Sequence, residues 1–314
     1  MYLNHFQFRE KPFSLTPDTL FFMNEQSHRG ALNTLLVSLK YCEGFIKIVG
    51  EVGTGKTLLC RILLGYLSKS RTFVTAYIPN PYLTPDELKA FVAQEIGADY
   101  SVDMPAHQLM SAIYRRLMQL ARARQQVVLV VDEAQAMPRE TIEALRLLTN
   151  LETQKRKLLQ VVIFGQPELD LLLNRPDLRQ LKQRIVFAET LKPFSYSGVR
   201  NYLYHRLRAA GSDNGKLFTM PAVWLLARGS GGIPRLINIL AHKALMVAYG
   251  RGDARVGLGH MARAIADTQE SHWLGKLSRP PVIWSAAALL LVGLGMGLGV
   301  GIDYFGSLLG ALPQ

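Results

Sequence analysis

Phe45-Ile46-Lys47-Ile48-Val49-Gly50-Glu51-Val52-Gly53-Thr54-Gly55-Lys56-Thr57 joins an apolar, β-rich run to a glycine-rich turn and the start of a helical pattern. Gly50 to Thr57 matches G-x-x-x-x-G-K-[ST], the phosphate-binding P-loop. The context matches as well as the letters. Phe45–Val49 reads as a strand, and 56–68 carries apolar residues at helical spacing. Glycines let successive backbone N–H groups turn toward an anion, and the helix N-terminus adds partial positive charge at the same place. Gly50, Glu51, Val52, Gly53, Thr54, Gly55, Lys56, Thr57 and Leu58 are therefore expected to hold the phosphates of ATP. Lys56 should reach the β- and γ-phosphates, and the Thr57 hydroxyl should bind Mg²⁺.

Four more short runs follow: Thr72–Ile78, Val127–Val131, Leu159–Phe164 and Ile185–Ala188. Mostly apolar runs of this length suit strands buried on both faces of a parallel sheet. Helical patterns lie between them, including 84–96, which opens with the cap-and-proline signal Thr84-Pro85-Asp86-Glu87. Strand–helix alternation predicts an α/β fold with a parallel five-stranded sheet. Val127–Val131 runs into Asp132-Glu133-Ala134-Gln135. Asp132 is the candidate to hold Mg²⁺ with Thr57, and Glu133 the candidate to orient and deprotonate an attacking water. Gln166, just past the next strand, is placed to sense the γ-phosphate or position water. Arg184, just before the last strand, could stabilise transition-state charge, with Arg179 as its rival.

After residue 190 the strands stop and four helical patterns remain. The predicted organisation is an N-terminal segment (1–44), an α/β core (45–192), a small all-helical lid (193–275), a linker (276–281), a membrane helix (282–302) and a short tail (303–314). Gly231-Gly232-Ile233-Pro234-Arg235 opens a helix of the lid and aims Arg235 back at the nucleotide.

Composition bounds the remaining classes. The chain of 314 residues is 49% hydrophobic, which excludes wholesale disorder. Two cysteines, Cys42 and Cys60, exclude a disulfide framework. A net charge of +12 points to an anionic partner: nucleotide, nucleic acid or acidic lipid. Val282 to Ile302 is a run of 21 residues without a charge, and a helix of that length rises ~31 Å, about the hydrocarbon thickness of a bilayer. Lys276 and Arg279 precede it and Asp303 follows, so the positive-inside rule predicts residues 1–281 in the cytoplasm. Trp284, Tyr304 and Phe305 sit where interfacial anchors are expected. Gly293, Gly297 and Gly301 form a small-residue stripe suited to helix–helix contact.

Together these residues resemble the AAA+ superfamily and, more narrowly, the ExeA/GspA family of secretion-pathway ATPases. Tyr2, Phe6, Pro12-Phe13-Ser14-Leu15, Pro17-Asp18, His28 with Ala31-Leu32, the P-loop, Asp132-Glu133-Ala134-Gln135 and Gly165-Gln166-Pro167-Glu168-Leu169 carry the resemblance. It implies an N-terminal segment, from Phe13 to His28, packed near the adenine. It also implies an arginine-finger role for Arg184 acting in trans, a sensor role for Arg235 and a homo-oligomer. The implied function is ATP-driven assembly or regulation of a type IV pilus, MSHA-like, or of a type II secretion machine at the bacterial inner membrane, with membrane proteins of that machine as partners. Longer family members carry a periplasmic peptidoglycan-binding domain. Here twelve residues follow Ile302, so direct peptidoglycan binding is not expected.

Two alternatives stand beside this. The basic clusters Arg115-Arg116, Arg122/Arg124 and Lys155-Arg156-Lys157 would suit a DNA-handling AAA+ ATPase related to transposition ATPases. A nucleotide-gated scaffold with little turnover is the non-enzymatic reading. A helicase with two sheet domains is excluded by the helical pattern after residue 190.

Overall fold

The computed structural model describes residues 2–15, 26–41, 44–101, 103–154, 156–212 and 217–269. The predicted membrane helix, its linker and the tail lie outside the described residues. Among the described residues no helix is long and apolar enough to cross a membrane.

The five predicted strands are present: β1 (Phe45–Gly50), β2 (Phe73–Ile78), β3 (Gln126–Val131), β4 (Leu159–Gly165) and β5 (Ile185–Leu191). They form one parallel sheet in the order β2-β3-β4-β1-β5. Strand periodicity explains its two faces. In β3, Val127, Leu129 and Val131 enter one cluster, and Val128 and Val130 enter the other. On the first face pack α4 (Pro85–Glu95), α5 (Ala106–Arg122) and α6 (Arg139–Leu148). On the second pack α2 (Gln26–Tyr41) and α3 (Lys56–Ser68), through Leu35, Leu39, Leu59 and Leu63. Thr84 caps α4 as expected. Its hydroxyl accepts from the Glu87 N–H at 3.3 Å, and its own N–H donates to Glu87 Oε2 at 2.7 Å. Such a cap contributes about 1 kcal/mol.

Gln160 is a fully buried polar residue within apolar β4. Its Nε2 donates to the Leu39 carbonyl at 3.0 Å, so it ties the end of α2 to the sheet. Short helices α7 (Glu168–Leu173) and α8 (Arg179–Lys182) lead from β4 to β5.

Beyond β5 the chain is helical: α9 (Tyr196–Ala209), α10 (Met220–Ser230), α11 (Pro234–Gly250) and α12 (Leu258–Ala266). They share a core of their own around Leu203, Leu226, Ile237, Leu240 and Ile265. The N-terminal segment, read from the sequence as one unit beside the nucleotide, divides instead. Tyr2, Phe6, Phe8 and Phe13, in and after the short helix α1 (Tyr2–His5), are buried in the helical core. The buried Arg206 of α9 fixes them there, donating to the carbonyls of Pro12 at 2.6 Å and Ser14 at 3.0 Å. Four aromatic side chains need apolar surface to cover them, and the helical core supplies it. Among the described residues of that segment, α2 packs on the sheet and the Gly44 carbonyl accepts from the Val161 N–H of β4 at 2.8 Å.

Candidate nucleotide site

Parallel pairing brings the C-terminal ends of β1, β3 and β4 to one edge of the sheet, with β4 between the other two. The P-loop leaves β1 at Gly50, Asp132 follows β3, and Gln166 follows β4. Three segments far apart in sequence are thus neighbours at one edge.

Within the loop, the Thr54 N–H and hydroxyl donate to the Glu51 carbonyl at 3.2 and 2.8 Å. The Lys56 ammonium is buried and donates to the carbonyls of Gly50 at 2.8 Å and Glu51 at 3.0 Å. Burial lowers its pKa, opposed by the charges of Glu133, Asp132, Glu51 and Glu168. Gly53 has φ of 80°, a backbone state that side chains rarely adopt. A Cβ there would also lie 2.6 Å from the Arg235 Cβ, so the loop accepts α11 at this point only with glycine.

Asp132 is buried. Burial raises its pKa, opposed by hydrogen bonds from the Thr57 hydroxyl and the Glu133 N–H and by Lys56, while the Glu133 charge adds to the rise. The Thr57–Asp132 contact puts a hydroxyl and a carboxylate oxygen together, the hard oxygen donors that Mg²⁺ takes. That donor set fits the metal.

Glu133 is a non-glycine residue with φ of 51°, in the left-handed region. Such backbone positions cluster at functional sites. Its carboxylate accepts from Gln135 Nε2 at 2.5 Å and from Gln166 Nε2 at 3.1 Å. Gln135 in turn accepts the Gln166 N–H at 3.0 Å through Oε1. Burial pushes the Glu133 pKa upward. The two glutamine hydrogen bonds and the Lys56 charge outweigh it, and the net shift is down. The residue is held as a carboxylate. In the sequence Gln135 is visible only as part of the Asp132-Glu133-Ala134-Gln135 signature. Its place as the brace between Glu133 and Gln166 depends on two strand ends meeting, which no local spacing reveals.

Arg235, at the start of α11, lies against the loop, and its N–H donates to the Gly53 carbonyl at 3.2 Å. The segment before it docks on the end of the core. The Phe194 N–H donates to the Gly232 carbonyl at 2.8 Å, and a Cβ at Gly232 would fall 2.1 Å from the Phe194 carbonyl oxygen. His28 of α2 is buried beside the loop, its Nε2 2.7 Å from the Thr54 carbonyl. A cavity of about 430 Å³ lies next to it, lined by Ser27, Gly30, Thr190, Phe194 and neighbours.

Arg184 does not join this group. Ile185 is in register with Phe45, so Arg184 stands at the start of β1, opposite the P-loop end. Six residues of strand separate them, ~20 Å at the usual rise. Its guanidinium donates to Thr149 Oγ1 at 3.1 Å. Arg179 is exposed at the start of α8. Arg184 therefore cannot touch the P-loop of its own chain.

The α/β body carries a P-loop at the edge of a parallel sheet, and residues 40–173 match the family model described as AAA domain. The chain is similar to General secretion pathway protein A of Aeromonas hydrophila, 39% identical over 291 residues, which covers 93% of this chain and 53% of that protein. The chain spans about half the length of the curated relative it matches. Among solved structures it is similar to the Aeropyrum pernix ORC2 protein in ADPNP–ADP complexes, with a TM-score of 0.59 and 17% identity over 83% of this chain and 74% of that one. The Thermotoga maritima RuvB Holliday junction branch migration motor gives a TM-score of 0.52 and 14% identity over 79% and 73%. These two likenesses are likenesses of fold.

Proposed function

We propose that the chain is a cytoplasmic AAA+ ATPase of the ExeA/GspA type, anchored in the inner membrane by residues 282–302. Its ATP binding and hydrolysis drive or regulate assembly of a type IV pilus, MSHA-like, or of a type II secretion machine. The observation that carries the enzymatic part is the Glu133 carboxylate, braced by two glutamines beside Lys56. A scaffold that only binds nucleotide has no need of a carboxylate held ionised there. Similarity to General secretion pathway protein A supports the setting.

In this reading the loop N–H groups and Lys56 bind the phosphates, and Thr57 and Asp132 hold Mg²⁺. The metal supplies neutralisation of phosphate charge when bound. Glu133 accepts a proton from the attacking water, and Gln166 keeps the carboxylate oriented. The cavity beside His28 and Phe194 takes the adenine, and Arg235 reads the phosphates from the lid. Arg184 serves the site of a neighbouring copy, which makes the active form a homo-oligomer.

Glu133→Gln should retain ATP binding and lose turnover by ~10²–10⁴-fold, the range for a lost general base. Lys56→Ala should lose binding itself. Phosphate release and equilibrium nucleotide binding measure the two. Undiminished turnover in Glu133→Gln would remove the hydrolytic reading. For the anchor, the full chain should stay in the membrane fraction through a high-salt wash. Release by salt alone would overturn that part.

A further inference from the structure

The edge of the sheet opposite the P-loop carries a cleft that the ATPase reading does not use. Its cavity of about 980 Å³ lies at the N-terminal ends of β2, β3 and β4, where α2, α3 and α5 end. Lys40, Lys69, Arg122, Arg124, Arg156 and Lys157 line it. They come from four separate parts of the chain, and all but Lys157 are exposed. Lys157 pairs with Glu152, and among the described residues no salt bridge engages the other five. Three helix C-termini contribute about half a negative charge each. Subtracting these and Glu152 leaves a surplus of about three to four positive charges. Basic residues that merely complement helix ends would leave no such surplus.

The floor of the cleft is apolar. Leu36, Phe73 and Met118 are half-buried there, and Tyr66 stands 55% exposed at its margin. A nucleic acid backbone needs the charge but not a sunken apolar floor. Single strands stack on exposed rings set between cations, and of the two rings lining this cleft Phe73 is half-buried in the floor and Tyr66 alone is exposed. A bilayer surface is flat and does not fill a concavity. A helix with apolar side chains on one face and carboxylates flanking them satisfies both features.

We propose that this cleft is a docking site for an acidic amphipathic helix of a partner protein. Leucine-like side chains enter the floor, and Asp or Glu side chains meet the cationic rim. The proposal does not depend on ATP hydrolysis. It is tested on the full chain with Glu133 intact, by fluorescence anisotropy of a labelled synthetic helix with leucines at i, i+3, i+4 and i+7 and glutamates on both flanks. Binding should weaken at least tenfold when the leucines are scrambled, when lysines replace the glutamates, and in the Arg122→Glu/Arg156→Glu protein. Tyr66→Ser should weaken it severalfold. Nucleotide binding and circular dichroism of the variants should match the parent, because the altered side chains are exposed. Three results would overturn the proposal. One is no binding, or binding unaffected by scrambling. Another is a single-stranded oligonucleotide, or vesicles rich in phosphatidylglycerol, binding more tightly than the helix with the same loss on charge reversal. The third is a change in the sedimentation of the double variant alone, which would make the cleft a contact between copies of this chain.

Discussion

The two edges of one sheet are built on opposite principles. At the P-loop edge the central charges have internal answers: Lys56 faces Glu133 and Asp132, Asp132 faces Thr57, and Glu133 faces two glutamines. Lys56 and Asp132 are buried and Glu133 is half-buried, and glycine lets another element approach within contact distance. At the far edge six cations stand around an apolar floor with one carboxylate paired among them. A closed network fixes geometry for chemistry, while an open, one-signed surface leaves its interactions to something outside. The same strands connect the two, so changes can be placed at either end with little direct effect on the other.

The largest effect should come from breaking the packed edge at its tightest point. Gly232→Val puts a side chain where the Phe194 carbonyl already lies, at φ of 77°. The helical domain should lose its seat on the core, with a destabilisation of about 3 kcal/mol or more in denaturant melts. Gly53→Ala strikes the loop rather than the seat. Its φ and its contact with Arg235 should weaken nucleotide binding about tenfold or more, measured by titration, at a stability loss of ~1–2 kcal/mol.

Gln166→Ala is subtler. The Glu133 pKa sits below the usual glutamate value because hydrogen bonds and Lys56 outweigh burial. Removing one donor leaves the burial and weakens its opposition, so the pKa rises. The acid limb of turnover against pH should then move to higher pH, since Glu133 must be ionised to accept a proton. A limb that stays in place would mean Gln166 does not support the carboxylate. At the open edge, Arg122→Glu should change stability by no more than about 0.5 kcal/mol and leave turnover unaltered. A large loss in either would show the edges are not independent.

The parts of this contrast differ in how visibly they are written in the chain. The helix 56–68 and the core of each strand are local patterns, and the structure places them where the apolar runs stand. β5 continues three residues past Ala188: Thr190 is exposed, and Glu189 is half-buried with Phe187 and Leu191 because it accepts from the Thr34 hydroxyl of α2 at 3.0 Å, a partner no apolar run reveals. Helix α2 packs Ala31, Leu35 and Leu39 on the sheet, but Leu32, Leu36 and Val37 lie between them in the sequence, so its inward stripe does not stand out from the pattern alone. Asp132 and Glu133 were legible because they follow a strand. The glutamine brace and the cleft were not, because each joins side chains that only the sheet order brings together. Arg122/Arg124 and Arg156-Lys157 read as separate surface clusters until β3 and β4 align their starts.

The divided N-terminal segment has a mechanical consequence. Its first residues are stitched to the helical domain by aromatic packing and Arg206, while α2 is stitched to the sheet. Between β5 and α9 the chain crosses again. A single backbone cut between β5 and α9 would therefore not release the helical domain, because residues 2–15 pack in its core and are joined in sequence to α2.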